Sequence, residues 1–259
     1  MATGDLTTVE KVRTYLNLTS LDADAKLGGL ISSSSAWVTS QIGHPILSAT
    51  YTETVNGNGT TSLVLRRSPV VSVTSVTVDG DAVPLRATST DSGYSVRDGS
   101  LDLVGHYFTE GVQNVVVVYR AGYEVTETVT VPATPYTVTT SSRWYDAISA
   151  SLVVAGTMLT EVAASPATGQ YSAAASSAGF ATYTFNAAQQ ALAVSITYAT
   201  IPQDIEQAVI EHVALRYRDA DRQGITNVSG DGSSATFSPA GPLAYIQGVI
   251  DTYRDLVVG

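Results

Sequence analysis

The chain has 259 residues, of which 44% are hydrophobic and 14% are charged, with 23 Asp and Glu against 13 Lys and Arg. The net charge of −10 argues against a protein that grips nucleic-acid phosphates, because such binding needs clustered Lys and Arg. The lack of cysteine excludes disulfides, thiolate metal sites and cysteine nucleophiles. Without a long apolar run or a signal pattern, we expect a soluble protein with no membrane partner, made in a cytoplasm.

Two helices are predicted at the N-terminal end. Thr7 and Glu10 have the spacing of a capping box, with Thr7 as the N-cap of a short helix that runs through Leu16. Ser20 is placed to cap a second helix from residue 21 to residue 42. Its many Gly and Ser residues indicate a weak helix held by tertiary contacts, or alternatively a small-residue face against a neighbouring subunit.

Between residues 48 and 121 the hydrophobic period changes to two, which is typical of strands. Asp79-Gly80 and Asp98-Gly99 each lie between strand-like runs, which is the pattern of a tight hairpin. A change of phase near Thr74-Ser75 predicts a β-bulge. The run of Val residues from 115 to 118 with Tyr119 predicts a strand buried on both faces. This region therefore predicts an antiparallel unit of about six strands.

Residues 122–200 have a different texture, since they are rich in Ala, Ser and Thr and carry almost no charge. They contain four strand-like runs, at residues 136–139, 152–154, 183–185 and 194–198. A module of this kind can be inserted where two chain ends lie close together. We therefore predict an inserted β-rich module with a small sandwich-like or barrel-like form.

The C-terminal part begins with the most strongly patterned segment of the chain. Residues 201–223 have one apolar stripe, and Pro202 suits the first helical position. The Gly- and Ser-rich residues 224–239 predict a flexible loop. A last helix is predicted from Pro242 to Val257.

No motif indicates catalysis, a cofactor or a metal. His44, His106 and His212 lie in three separate segments, so they form no metal-ligand spacing, and we assign them structural roles. The many serines include no nucleophile elbow, and no glycine pattern has the form of a phosphate loop. A carbohydrate-binding module is an alternative interpretation of the β-rich centre, and it would use exposed aromatic residues. The candidates are Trp144, Tyr145 and Tyr171.

The order of several short motifs carries a family resemblance. These motifs are Thr8–Val12, Leu21–Asp24, Ile42-Gly43, Leu65–Val73, Val76–Gly80, Val117–Tyr123, Ile201–Ala208 and Asp251–Arg254. In this order the chain resembles the head–tail connector (adaptor) proteins of tailed bacteriophages over residues 5–123 and 201–257. In many relatives the Tyr-x-Ala-Gly-Tyr strand leads almost directly to the proline-led helix, whereas about 78 residues intervene here. That stretch resembles the small β-modules that decorate phage structural proteins.

The resemblance implies an α+β fold with a helical connector core made of N- and C-terminal helices, from residues 1–47 and 201–259. An antiparallel β-hairpin unit at residues 48–121 and the inserted module at 122–200 complete it. It also implies a non-enzymatic virion protein of the head–tail neck, assembled in the host cytoplasm. Its partners would be other copies of itself in a dodecameric ring, the portal protein, a stopper or tail-completion protein, and genomic DNA passing through the lumen without sequence-specific binding.

By the same resemblance the C-terminal segment would dock on the portal. The residues expected to dock are Gly230, Phe237, Tyr245, Ile246, Ile250, Tyr253 and Arg254. The acidic balance of the chain suits a channel that lets DNA slide, because a basic lining would hold it. Another phage neck, tail or baseplate part is the alternative within the same class of proteins.

Overall fold

The computed structural model describes residues 4–97, 99–142, 151–176, 179–220, 227–230, 233–236 and 244–254. Over these residues the chain is mostly β-sheet, with 40% strand and 26% helix. Buried hydrophobic side chains fall into three separate clusters, one among the helices and two between sheets. None of the described helices is long and apolar enough to cross a membrane.

Four helices of the described chain share one hydrophobic core. They are α1 (Val9–Tyr15), α2 (Asp24–Ile42), α3 (Gln203–Asp219) and α4 (Ala244–Tyr253). The helix α3 supplies the centre of this core, since Ile205, Val209 and Val213 are fully buried on one stripe at four-residue steps. Leu27 and Ile31 of α2 are buried in the same core, facing α3. Each such aliphatic side chain stabilises the fold by about 1.5–3 kcal/mol.

The helix starts differ from the predictions. Thr8 is the N-cap of α1 and accepts from the backbone N–H of Lys11, whereas the predicted cap, Thr7, donates to Glu206 of α3. Helix α2 begins at Asp24, and Ser20 instead bonds to Asp22 in the preceding turn. Pro202 takes the N-cap position of α3, one residue before the predicted one.

Seven strands form between residues 49 and 121, in two sheets. They are β1 (Ala49–Gly57), β2 (Ser62–Val64), β3 (Val70–Val78), β4 (Asp81–Val83), β5 (Gly93–Arg97), β6 (Ser100–Val104) and β7 (Gly111–Ala121). The sheet orders are β1-β7-β3-β4 and β2-β6-β5, with antiparallel pairing throughout. The pairing across Asp79-Gly80 and the register shift between Val73 and Ser75 confirm the predicted hairpin and bulge.

Strand β7 lies at the centre of this unit but is buried on one face only. Val115, Val117 and Tyr119 are fully buried in the core that the two sheets share, whereas Val116 and Val118 are half-exposed on the opposite face. The prediction of burial on both faces is therefore wrong. The hydrophobic core between the two sheets includes Val115, Val117 and Tyr119 but neither Val116 nor Val118, so the all-valine run reports β propensity here and not depth.

Residues 124–199 form two four-stranded sheets that share a third core. Their strands are β8 (Glu124–Thr130), β9 (Thr137–Thr139), β10 (Ser151–Val154), β11 (Thr157–Met158), β12 (Thr160–Glu161), β13 (Gln170–Ala175), β14 (Ala181–Phe185) and β15 (Ala193–Ala199). The orders are β11-β10-β15-β8 and β12-β13-β14-β9. Leu152 and Ile196 from the first sheet meet Tyr171 and Tyr183 from the second.

The three cores meet where β7 leads into β8. Gly122 is required there, because an added Cβ would lie 2.4 Å from the Cα of Ser48 and the residue has φ +122. The backbone N–H of Tyr123 donates to Ile46, and its carbonyl accepts from Thr200, 3.0 Å away. The strand that enters residues 124–199 therefore lies beside the strand that leaves them.

The predicted α+β fold organised on a helical connector core of N- and C-terminal helices is wrong. The chain is mostly β-sheet, and two of its three hydrophobic clusters form between sheets. The terminal helices are short, with seven residues in α1 and ten in α4, and Val12 is the single buried residue of α1. The predicted flexible loop also contains an antiparallel hairpin, β16 (Asn227–Gly230) with β17 (Ser233–Thr236).

Candidate assembly surface

The last helix turns one stripe inward and leaves another stripe open. Ile246, Val249 and Ile250 are buried in the helical core, with Ile246 and Ile250 fully so. Two of the residues expected to dock on a portal are therefore core residues of this chain. They position the helix and do not themselves offer a free surface.

Two further docking candidates fasten the end of α4. The hydroxyl of Tyr253 lies 2.9 and 2.8 Å from the carboxylate oxygens of Asp204, in the first turn of α3. The carbonyl of Tyr253 lies 3.0 Å from Nε2 of His44, and Nε of Arg254 donates to the carbonyl of Gln41 at 3.1 Å. Burial raises the pKa of the Tyr253 hydroxyl, and the Asp204 carboxylate that accepts its proton raises it further. The end of α4 is thus held to both α2 and α3.

The outer face of α4 is the part of the predicted docking segment that remains accessible. Tyr245 is 46% exposed, and Ala244, Gly248, Asp251 and Thr252 are exposed beside it. A Cβ built on Gly248 meets no atom within 4 Å, so the middle of this face is open. Of the remaining candidates, Gly230 ends strand β16, and Phe237 lies outside the described residues.

A buried carboxylate joins α1 to α3. Glu206 is 5% exposed, with Oε2 lying 2.8 Å from Nζ of Lys11 and Oε1 accepting from the hydroxyl of Thr7 at 3.2 Å. Burial of an ion is tolerated when a counter-ion and a hydrogen bond accompany it, and both are present here. Helix α1 is therefore fixed to α3 by a polar contact as well as by Val12.

The histidines have surroundings that suit structural roles. Both ring nitrogens of His44 face backbone carbonyls, of Pro45 and Tyr253. The ring of His212 packs 4.5 Å from that of Trp37, centroid to centroid. Burial lowers the pKa of His212 and the charge of Arg216 lowers it further, so this imidazole is neutral near pH 7. In the part of the chain that the structure describes, no group of three His, Asp or Glu residues could hold a metal ion.

The aromatic residues proposed for carbohydrate binding do not form an exposed platform. Tyr171 is 3% exposed and packs edge-on against Tyr183 in the core between the sheets. Trp144 and Tyr145 lie outside the described residues. Sugar stacking requires an accessible ring face, which Tyr171 does not offer.

A cleft of about 840 Å³ was not foreseen from the sequence. We call it the α3 cleft. Its walls are the outer face of α1, the first two turns of α3, Tyr245 of α4, and residues of the β-rich region that face them. The lining residues are Glu10, Lys11, Thr14, Tyr15, Ser141, Ser142, Phe180, Thr200, Ile201, Gln203, Asp204, Glu206, Gln207, Ile210 and Tyr245. The only sequence signal was the polar faces of two helices, and nothing local placed Phe180 or Ser141 opposite them.

Comparison with known proteins gives a match to a family and matches to chains of solved structures. A family model described as "Head completion protein" matches residues 5–162. A chain from the solved structure "Neck of native GTA particle computed with C12 symmetry" is similar over 100% of this chain and 94% of its own, with 13% sequence identity and a TM-score of 0.45. A similarity of that size does not establish a shared role. No curated protein matches the chain.

Proposed function

The chain belongs to the head completion protein family, and we propose that it forms a dodecameric ring beneath the portal that joins the portal to a stopper or tail-completion protein. The resemblance to phage head–tail connectors is confirmed by that membership. The chain is a structural protein of the phage head–tail neck and belongs to the virion. In this proposal it is assembled in the host cytoplasm.

The family match carries the proposal, because it spans α1, α2 and all seven strands from β1 to β7. We also propose that DNA passes through the lumen of the ring without being held, and the net charge of the chain supports this. With 13 Lys and Arg against 23 Asp and Glu, the chain offers few cations to neutralise phosphates. Residues 122–200 would then face outward or toward other neck proteins.

We further propose that the portal docks on the outer face of α4. Its open surface around Tyr245 and Gly248 supports this, since the inner stripe is already used by the core of the chain. Exposed aromatic residues such as Tyr245 are enriched at the centres of protein interfaces. The ties from Tyr253 and Arg254 to the rest of the helical cluster would keep this face rigid when the partner arrives.

The test is co-sedimentation of the purified chain with DNA-filled, tailless heads that carry the portal, with bound copies counted per particle. We expect saturation at about a dozen copies at one vertex, as a closed cyclic assembly requires. A folded chain that does not bind such heads would contradict the connector role. Binding to isolated tails or baseplates instead would support another neck, tail or baseplate part.

Two matched glycine variants locate the docking face. Both Gly248 of α4 and Gly29 of α2 point into open space, so Gly248→Gln and Gly29→Gln add a side chain without a clash within the chain. Each should also slightly stabilise its helix, because Gly costs about 0.5–1 kcal/mol in a helix interior. We expect Gly248→Gln to reduce the bound copies and Gly29→Gln to leave them unchanged. Equal losses in both would mean that the small-residue face of α2 contributes as much to assembly, as a contact between subunits would, and would contradict docking through α4 alone.

A further inference from the structure

The α3 cleft combines a large volume with a mixed lining. Its volume of about 840 Å³ lies within the range of sites that enclose several side chains of a ligand. The apolar part of its wall consists of Ile201, Ile210 and Phe180. On the side of the β-rich region it is lined by Ser141 and Ser142. Two tyrosines with large exposed fractions, Tyr15 at 42% and Tyr245 at 46%, also line it.

The negative charge at this cleft is only partly neutralised. Glu206 is paired with Lys11, at 2.8 Å. Asp204 lines the cleft and accepts from the hydroxyl of Tyr253. Glu211 is not a lining residue but lies at the edge, one turn beyond Gln207, whose Nε2 donates to it at 2.9 Å. Both carboxylates are thus held by neutral donors. Neither forms an ion pair with a basic side chain in the described part of the chain.

The field of these two carboxylates reaches the exposed ring at the cleft. Burial raises the pKa of the Tyr245 hydroxyl, and the negative charges of Glu211 and Asp204 raise it further. A ring with a negative π face, set beside two carboxylates that have no basic partner among the described residues, attracts a cation through both. Such a cation would also serve as a counter-ion for Asp204 and Glu211.

We propose that the α3 cleft binds a basic segment of a partner protein, with a Lys or Arg side chain lying over Tyr245 beside Asp204 and Glu211. The apolar wall suits the aliphatic stem of such a side chain, whose charged head can reach the carboxylates. The negative carboxylates at the cleft exclude a nucleic acid as its ligand, because nucleic-acid phosphates are also negative. A chelated metal ion is disfavoured, because the described residues hold no group of three metal-ligating side chains. The site shares Tyr245 with the outer face of α4, but Asp204 and Glu211 belong to α3, and the proposal does not depend on a portal docking around Gly248.

The proposal can be tested with two labelled peptides and fluorescence anisotropy. The probes are a short Gly/Ser peptide with two arginines and the same peptide with glutamates in their place. We expect the arginine peptide alone to bind, with an affinity that falls as salt is raised from about 50 to about 300 mM. Glu211→Gln and Tyr245→Leu should each weaken it about threefold to tenfold. Neither residue lies in the core, so both variants should fold.

The matched control is Glu110→Gln, which removes an exposed carboxylate from the loop before β7. It should leave the affinity unchanged, and an equal loss there would mean attraction to an acidic chain in general and would overturn the site. Absence of any difference between the two peptides up to about 1 mM would also overturn it.

Two further measurements separate other occupants. Displacement of the arginine peptide by Mg²⁺ at equal ionic strength would assign the cleft to small cations. Self-association of the unlabelled chain in sedimentation velocity that is lost in Glu211→Gln would assign it to a second copy. Either result would overturn the proposal of a separate protein partner. Binding of the Glu211→Gln chain to heads tests portal docking separately, because that substitution leaves Tyr245 and Gly248 unchanged.

Discussion

The contact between Lys11 and Glu206 is asymmetric, and this determines how it responds to substitution. Glu206 is 5% exposed, whereas the side chain of Lys11 keeps 36% of its surface in water. If the lysine charge is removed, a carboxylate remains buried without its counter-ion. If the carboxylate charge is removed, the ammonium group turns toward solvent.

We therefore expect Lys11→Met to destabilise the chain more than Glu206→Gln. Loss of the ammonium group beside a buried carboxylate should cost about 2–4 kcal/mol, whereas a glutamine still accepts from Thr7 and should cost about 1–2 kcal/mol. Urea unfolding of both variants measures the difference. A larger loss in Glu206→Gln would show that the lysine, and not the carboxylate, is the group that needs its partner.

Glu127 illustrates a carboxylate stabilised by neutral donors. Burial favours its protonated form, but Ser141, Ser142 and Tyr198 donate to it, and their hydrogen bonds outweigh that burial. The result is a pKa below the ordinary 4.5. These bonds tie β8 and β15 to the end of the segment that follows β9.

Acid should therefore weaken this part of the fold. Since the folded-state pKa of Glu127 is lower than the unfolded one, its contribution is complete above about pH 4.5 and is lost as the pH falls through the folded value. We expect Glu127→Gln to be less stable near neutrality and to lose less stability between about pH 5 and pH 3 than the parent chain. Urea midpoints across that range test this, and parallel pH slopes would contradict it.

At the scale of elements, the helix α4 depends on its polar end as well as on its apolar stripe. The hydroxyl of Tyr253 bonds the Asp204 carboxylate, and its ring meets that of Tyr123 edge-on at 5.6 Å. Tyr253→Phe keeps the ring contact and removes the charge-assisted bond. We expect a loss of about 1–2 kcal/mol and faster amide exchange in α4.

Tyr245→Phe is the matched control for that substitution, because the same hydroxyl is removed from the exposed face of the same helix. Its effect on the free energy of unfolding should stay within about 0.5 kcal/mol. If both variants lose the same stability, the bond to Asp204 does not hold α4.

The sequence predicted elements well where a local signal exists. The hairpin at Asp79-Gly80 and the bulge near Ser75 depend on turn chemistry and phase, which are local. The sequence failed where tertiary contacts decide. The N-cap of α1 moved from Thr7 to Thr8 because Thr7 bonds a carboxylate almost two hundred residues away. Strands of two or three residues, such as β4 or β11, are too short to show a period of two.

For the whole molecule, the order of short motifs indicated the family but not the balance of helix and sheet. The family resemblance led to the expectation of a helical connector core. More of the described residues lie in strands than in helices, and the two hydrophobic clusters between sheets are assembled from strands far apart in sequence. The residues proposed for docking show the same limit, since Ile246 and Ile250 belong to the apolar stripe of the last helix and are buried in the core of the chain. The docking role of the segment stays a prediction.

That residues 122–200 form a separate module remains a proposal. The pairing of β8 with β15, where the chain enters and leaves this region, makes the proposal testable. Val125 and Tyr198 are register partners in the antiparallel pair of β8 and β15. Residues that face each other in this way can be joined by a two-residue Asn-Gly turn. Replacing residues 126–197 by Asn-Gly would therefore close the chain without stretching it, while keeping Tyr123 and Thr200 in place.

We expect that shortened chain to fold with its helical core and β1 to β7 intact, because neither of those hydrophobic clusters includes a residue between 126 and 197. Amide protection in α3 should persist, and stability should change by less than about 2 kcal/mol. Leu152→Ala in the full chain is the complementary variant, because it opens a cavity in the core of the removed part and should cost that part about 2–5 kcal/mol. Both changes are confined to residues 126–197. Loss of amide protection in α3 in either variant would therefore mean that the three cores fold as one unit. Independent behaviour would instead allow the shortened chain to be tested for head binding directly.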